Sequence, residues 1–327
     1  LFLFVKPNRK LRRSEHIGDF EILRELGRGG MGVVYEARQK SLNRRVALKV
    51  LSTGLGLTTK AVMRFKREAE AAAKLHHTNI VPIYSTGDEG RVPYYAMELI
   101  DGPSLDLVIR HLRHGSDDAS RGSLDSTQDA SPDQQGAVPD WVNGTIGLEV
   151  PNSGGDGATP TSVSSSYGSS SIGSGDNFFD NVARMMSGVA DALAHAHDQG
   201  VIHRDIKPSN LLLSPDGRLS INDFGLARML EQPGMTISGE LMGSPMYLSP
   251  EQITSGRLPL DHRTDIYSLG ASLYQLLTLQ LPFDGQQRDQ VLSQIIHKEP
   301  TRPRSVNKKI PKDLETICLK AMEKDPD

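Results

Sequence analysis

Apolar positions along the chain fall into short strand-like runs and several helical stripes. Val33-Val34-Tyr35-Glu36-Ala37 is β-branched and strand-like, and Val46-Ala47-Leu48-Lys49 is a second strand whose lysine is the only charge in an apolar run. From Lys60 to Leu75 the apolar positions Val62, Phe65, Ala69, Ala72 and Ala73 recur at helical spacing, and the alanine-rich composition favours a helix. Pro93 to Gly102 reads as a buried strand running into a turn signal. Phe178, Val182, Met185, Met186, Val189, Leu193 and Ala196 define one helix face, read as core, with Gly200 as its C-terminal cap and a strand at Val201-Ile202 beyond. From Asp265 to Leu281 apolar residues continue almost all round, the pattern of a buried central helix.

The interval from His114 to Asp176 breaks this pattern. Serine triplets at 164–166 and 169–171, scattered Gly and Pro and few long apolar runs leave it too little to bury against its ordering entropy, so it is expected to be disordered. Nine acids against Arg121 make it −8; with the whole chain at −3, the remainder carries +5. The folded part is mildly basic, which suits a nucleotide-polyphosphate site without suggesting nucleic-acid binding. The only tryptophan, Trp141, lies in an apolar patch flanked by acids at 140–150, read either as docking on the basic surface of the folded part or on a partner, or as part of a solvated linker. A length of 327 residues with 37% hydrophobic content suffices for about two domains of ordinary size. The single cysteine, Cys318, excludes an intramolecular disulfide framework and suits a reducing compartment. Leu1 to Val5 is too short to cross a bilayer or form a signal-peptide core and precedes a basic stretch, Lys6 to Arg13; residues 1–17 are expected to be a disordered leader.

Candidate chemistry concentrates in His203-Arg204-Asp205-Ile206-Lys207-Pro208-Ser209-Asn210, followed by Asp223-Phe224-Gly225. A base, a phosphate-facing lysine and two oxygen ligands in one window fit phosphoryl transfer, where a charged γ-phosphate is held in line with an attacking hydroxyl. Magnesium prefers oxygen ligands and keeps several waters, so Asp223 and Asn210 suit it, which leaves Asp205 to accept the hydroxyl proton. Gly27-Arg28-Gly29-Gly30-Met31-Gly32 precedes a strand rather than a helix, unlike a dinucleotide-binding loop, and so fits a hairpin over phosphates. His203 is read as a packing and hydrogen-bonding residue, and His76-His77 as loop residues.

These motifs resemble the eukaryotic-type (Hanks-type) serine/threonine protein kinase family, most closely its bacterial members, over residues 18–113 and 177–327. The resemblance implies an α+β fold of two lobes, an antiparallel-sheet N-lobe with one long helix and a mostly helical C-lobe. The N-lobe to hinge would span 18–100, the start of the C-lobe 101–113, the acidic Ser/Gly-rich insert 114–176, and the C-lobe 177–327. It implies ATP and Mg²⁺ as cofactors. Leu26, Gly27, Arg28, Gly29, Gly30, Met31, Gly32 and Val33 would bind ATP as part of a hairpin lid over it. Val34, Ala47 and Leu212 would sandwich the adenine, with Met97 behind it and the backbone of Glu98 to Ile100 hydrogen-bonding it. Lys49 would hold the α/β-phosphates. Glu68 and Glu70 are both candidates for its partner, and the family arrangement points to Glu68.

By the same resemblance Asp205 is the base, Lys207 the phosphate bridge of a serine/threonine rather than a tyrosine kinase, Asn210 and Asp223 the metal ligands, and Asp265 the anchor of the loop backbone. Partners would be proteins with Ser/Thr acceptors, including the chain itself at Thr236 and Ser238, whose other reading is ordinary loop hydroxyls; no nucleic acid and no membrane segment is expected. A cytoplasmic location is implied, with a membrane anchor possible in a longer form. The chain stops before the place where relatives carry an arginine pairing with Glu251, so a truncated C-lobe with a buried, unpaired Glu251 is expected. A catalytically dead scaffold and a small-molecule phosphotransferase are the alternative readings.

Overall fold

The structure, a computed structural model, describes residues 15–29, 32–51, 69, 73–89, 92–120, 138–139, 141–147, 176–224, 245–254, 260–285 and 287–327. The first lobe is an antiparallel sheet of β1 (His16–Ile17), β2 (Phe20–Gly29), β3 (Gly32–Gln39), β4 (Arg44–Leu51), β5 (Ile83–Glu89) and β6 (Val92–Met97), ordered β1-β2-β3-β4-β6-β5. Successive side chains on a strand point to opposite faces, so runs that are apolar throughout bury both. Phe20, Ile22, Val33, Tyr35, Val46, Leu48 and Ala96 pack on one face. Ala47, Leu51, Tyr95 and Met97 pack on the other, which turns toward the second lobe. The register sets Val34 opposite Lys49, Lys49 opposite Tyr95 and Ala47 opposite Met97, so Val34, Lys49 and Tyr95 stand abreast on that inner face.

The strands expected at 33–37 and 46–49 lie within β3 and β4, and the one expected from Pro93 toward the Asp101-Gly102 turn ends earlier, at Met97 of β6, whereas the helix expected over 60–75 falls almost wholly outside the described residues. The leader is also outside them up to residue 14, but its end is not disordered: His16–Ile17 pairs with β2 and Ile17 is buried.

The second lobe contains α1 (Leu105–Ser120), α2 (Trp141–Ile146), α3 (Asp176–Asp198), β7 (Leu211–Leu213), β8 (Leu219–Ile221), α4 (Pro250–Thr254), α5 (Arg263–Thr278), α6 (Arg288–His297), α7 (Pro303–Val306) and α8 (Lys312–Ala321). The expected face of α3 is buried from Val182 to Ala196, with Phe179 rather than Phe178 taking the buried first place. Gly200, at φ +72°, ends it, and the Val201 amide closes on the Ala196 carbonyl at 2.9 Å. Val201-Ile202 forms no strand, because the chain turns at once into a loop whose next amides bond a side chain instead of a ladder. The central helix α5 stops at Thr278, three residues short of expectation, where Leu279 adopts a left-handed φ of +56°.

The largest departure is in the insert. α1 runs on to Ser120, and α2 stands in the middle of the stretch expected to be disordered. Val142 and Ile146 are fully buried in the main core. The His111 ring lies 3.1 Å from Asn143 Oδ1, and the Asn181 amide donates to the Thr145 carbonyl at 3.3 Å. Trp141 packs by Gly102, where an added Cβ would lie 1.8 Å from the Leu213 carbonyl oxygen and 3.4 Å from the indole. The docked reading of the Trp141 patch is therefore the one the structure adopts, since two apolar side chains one helical turn apart enter a waiting core. Apart from Val138, Pro139 and Gly147, the rest of 121–175 lies outside the described residues. Ile146→Ala is expected to cost about 2–5 kcal/mol in denaturant unfolding and to make Trp141 emission more open to acrylamide quenching. A loss under about 1 kcal/mol would mean that α2 is not part of the core.

Candidate active site

After α3 the chain runs irregularly to a single 3₁₀ turn, Pro208–Asn210, and that loop is pinned from beneath. Asp265, fully buried in the first turn of α5, accepts the Arg204 amide at 2.7 Å and the His203 amide at 2.8 Å, and its second oxygen also meets the His197 ring N–H at 2.8 Å. Arg204 is held at φ +67°, a region costly for a side chain with a Cβ. The His203 ring accepts the Asp205 amide on Nδ1 at 3.2 Å and donates from Nε2 to the Asn222 carbonyl at 2.9 Å, which fixes its tautomer. Phe224 packs edge-on against that ring at 4.8 Å, the structural role expected of His203.

This support presents three predicted side chains together. Lys207 Nζ lies 2.7 Å from Asp205 Oδ2. Asn210 Nδ2 donates to the Asp205 carbonyl at 2.8 Å and to its carboxylate at 3.0 Å, so the amide oxygen of Asn210 points away from both. The Asn210 carbonyl accepts the Asn222 amide at 2.9 Å, which ties the loop to the residue before Asp223.

Asp223, at φ +60°, faces the sheet. Lys49, buried on β4, brings Nζ to 2.6 Å of Oδ2, and the buried Tyr95 of β6 donates its hydroxyl to Oδ1 at 2.8 Å. Burial alone would raise the Asp223 carboxyl; the Lys49 charge, with the Lys49 and Tyr95 hydrogen bonds, outweighs it and holds the group below the usual carboxylate range. The expected Lys49 partner, Glu68, lies outside the described residues, as does Glu70. Tyr95 was missed in the sequence. Its signal was the alternation that puts it on the face of Met97, together with the need of a buried tyrosine hydroxyl for a partner.

The glycine-rich segment is the hairpin expected, with Gly29 paired to Gly32 and Gly27 to Val34; Gly30 and Met31 lie outside the described residues. A Cβ on Gly32 would meet the Val50 carbonyl oxygen at 2.2 Å, so only glycine lets the strands approach there. Leu26 is exposed, the Arg28 guanidinium is engaged by Glu25 at 3.0 and 3.1 Å, and Val33 turns to the opposite face of the sheet, away from the inner cluster. Val34, Ala47, Met97, Ile100 and Leu212 do come together in one apolar cluster across the two lobes. The Glu98 amide is taken by the Pro82 carbonyl at 3.1 Å, which leaves the Glu98 carbonyl as the polar group that residue can offer.

Beside Lys207 a groove of about 680 Å³ opens between α1 and Pro245–Tyr247, lined by Asp106, Ile109, Arg110, Arg113 and Met246. Residues 225–244 are outside the described ones, and with them Thr236 and Ser238. Glu251 sits partly exposed in the first turn of α4 rather than buried; a helix N-terminus facing solvent tolerates a carboxylate that a core would not.

An antiparallel sheet above a helical lobe, with a lysine, two aspartates and an asparagine gathered where they meet, defines a two-lobed kinase-type fold. The chain belongs to the protein kinase domain family, which it matches over residues 20–126 and 175–327. The unmatched stretch lies inside the insert and holds α2. The chain is 32% identical over 307 residues to a probable serine/threonine-protein kinase of Clostridium perfringens, covering 94% of this chain and 36% of that protein. It is 30% identical over 309 residues to the serine/threonine-protein kinase PrkC of Bacillus subtilis, covering 94% of this chain and 38% of that protein. The crystal structure of the PknI kinase domain of Mycobacterium tuberculosis aligns with a TM-score of 0.59 at 22% identity, covering 97% of this chain and 92% of that one, a likeness of fold. The chain thus spans between a third and two-fifths of the length of these curated relatives. Among the described residues no helix is long and apolar enough to cross a membrane.

Proposed function

We propose that this chain transfers the γ-phosphate of Mg-ATP to serine or threonine hydroxyls of proteins. The observation that carries the reading is the cluster in which Asp205 is held by Lys207 and Asn210, and joined through Asn222 to an Asp223 paired with Lys49. Magnesium fits this donor set. The Asn210 amide oxygen and the Asp223 carboxylate are hard ligands, and among the described residues no group of three or more His, Cys, Asp or Glu could hold a metal alone, so waters and phosphate oxygens would complete its shell. Asn210 and Asp223 would hold the ion, whose charge would offset that of the transferring phosphate.

The chain's own residues do the rest. Val34, Ala47, Met97 and Leu212 form the apolar slot for the base, and the hairpin glycines let backbone approach the phosphates. Asp205 orients the acceptor hydroxyl and takes its proton as the new P–O bond forms and the bond to the β-phosphate oxygen breaks, releasing ADP. Lys207 is the cation that faces the oxygens on which charge develops. The groove beside it supports a polypeptide acceptor. Thr236, Ser238 or both are the sites at which the chain would phosphorylate itself, the added phosphate pairing with Arg204.

The test is Mg²⁺-dependent transfer of labelled γ-phosphate from ATP onto a serine/threonine protein acceptor, blocked by a chelator, with phosphopeptide mapping of the chain itself. Labelled Ser/Thr residues are the expected result. Transfer to a small metabolite and to no protein would overturn it.

A further inference from the structure

Tyr95 is a buried polar side chain of the inner sheet face to which the function above assigns nothing. Its ring is enclosed with Ala47, Leu51, Val81 and Met97, where a phenylalanine would fill the same space. A hydroxyl in such surroundings costs free energy unless a partner uses it. Here it donates to Asp223 Oδ1 at 2.8 Å, while Lys49 holds Oδ2 at 2.6 Å. An ordinary phenol is already protonated through the neutral range, so the hydroxyl remains a donor there.

The two donors sit on paired strands. Lys49 and Tyr95 are cross-strand partners of β4 and β6, and β6 is flanked on both sides, by β4 and β5. One donor on each oxygen fixes the plane of the carboxylate, which a single ion pair would leave free to turn about its last bond. A carboxylate offers about four lone-pair sites, so each oxygen keeps one for a metal after accepting its hydrogen bond. Outer-shell partners of this kind orient a ligand before the ion arrives.

We propose that Tyr95 is a positioning residue for Asp223: its hydroxyl sets the rotation of the carboxylate so that it meets the nucleotide-bound metal already aligned. The inference rests on Asp223 being the metal ligand. Tyr95→Phe removes only the hydroxyl, and Tyr95→Met removes it while filling the site differently. Tyr94→Phe, on the opposite face of β6, is the control.

The experiment follows ADP binding to the full chain by calorimetry at increasing Mg²⁺, with metal-free ADP binding as the baseline. In both Tyr95 variants the Mg²⁺ concentration at half-effect is expected to rise about 10-fold, with metal-free binding unchanged and transfer recovering at saturating Mg²⁺. Tyr94→Phe keeps the parent midpoint. A midpoint that stays put or falls in both Tyr95 variants overturns the proposal. Asp223→Asn separates the two levels. If it too keeps the parent midpoint, the metal-ligand reading itself is lost; if it alone abolishes the Mg²⁺ effect, only the role of Tyr95 is.

Discussion

Asp205→Asn is expected to lower phosphoryl transfer by about 10²–10⁴-fold while leaving ATP affinity close to that of the parent. The substitution is nearly isosteric. Asn210 donates to the Asp205 main-chain carbonyl as well as to its carboxylate, so that anchor survives. Two things are lost: the oxygen basic enough to take the acceptor proton, and the negative partner 2.7 Å from Lys207 Nζ. Neither contributes to the apolar slot of Val34, Ala47 and Leu212, so the loss falls on kcat rather than on KM for ATP. Steady-state transfer with labelled ATP, beside calorimetry with a non-hydrolysable analogue, checks both halves. A variant within about threefold of the parent rate would remove Asp205 from the chemistry. A parent that binds ATP and transfers nothing would point to a scaffold instead.

The parts of the fold legible in the sequence were those in which local pattern and burial agree. β3, β4 and β6 contain apolar runs because the sheet is covered on both faces there, α3 carries the stripe of a core-facing helix, and α5 is apolar almost all round as a buried helix must be. The loop from His203 to Asn210 was legible because its chemistry needs several residue types at fixed spacing, and the structure brings Asp205, Lys207 and Asn210 into mutual contact. What could not be read depends on distant partners. Six residues of α2 are lost in a serine- and glycine-rich stretch when composition is averaged, and what orders them is Val142 and Ile146 entering a core built by α1 and α3. Val201-Ile202 has strand residues and no strand, since the neighbouring amides of His203 and Arg204 find Asp265 more than sixty positions away. Val33 was grouped with the ATP-binding residues, although alternation from Val34 already sets it on the other face. Tyr95 read as one more strand aromatic, because nothing local announces a hydroxyl that bonds a residue 128 positions on.

Asp265→Ala is expected to destabilise the chain by about 3–5 kcal/mol and to reduce transfer at least 10²-fold, although the residue touches no substrate. Its carboxylate, with no exposed surface, receives the His203 and Arg204 amides and the His197 ring. Alanine leaves two backbone donors without that acceptor, each worth about 1–3 kcal/mol when buried, and no water has easy access to replace it. The strain at Arg204, φ +67°, is held in part by those bonds and by the Gln252 amide on the Arg204 carbonyl at 2.9 Å. Once released, the peptide before Asp205 can turn, and a displacement of about 1 Å in a base is enough for the expected loss of rate. Asp265→Asn should fall between parent and alanine variant. Its oxygen can still accept one amide, but its NH₂ must face either the His203 or the Arg204 N–H, donor against donor. Urea unfolding and transfer rates on the three proteins decide the matter. Equal midpoints for parent and Asp265→Ala would show that the loop holds its shape without α5, and the strained Arg204 would need another support.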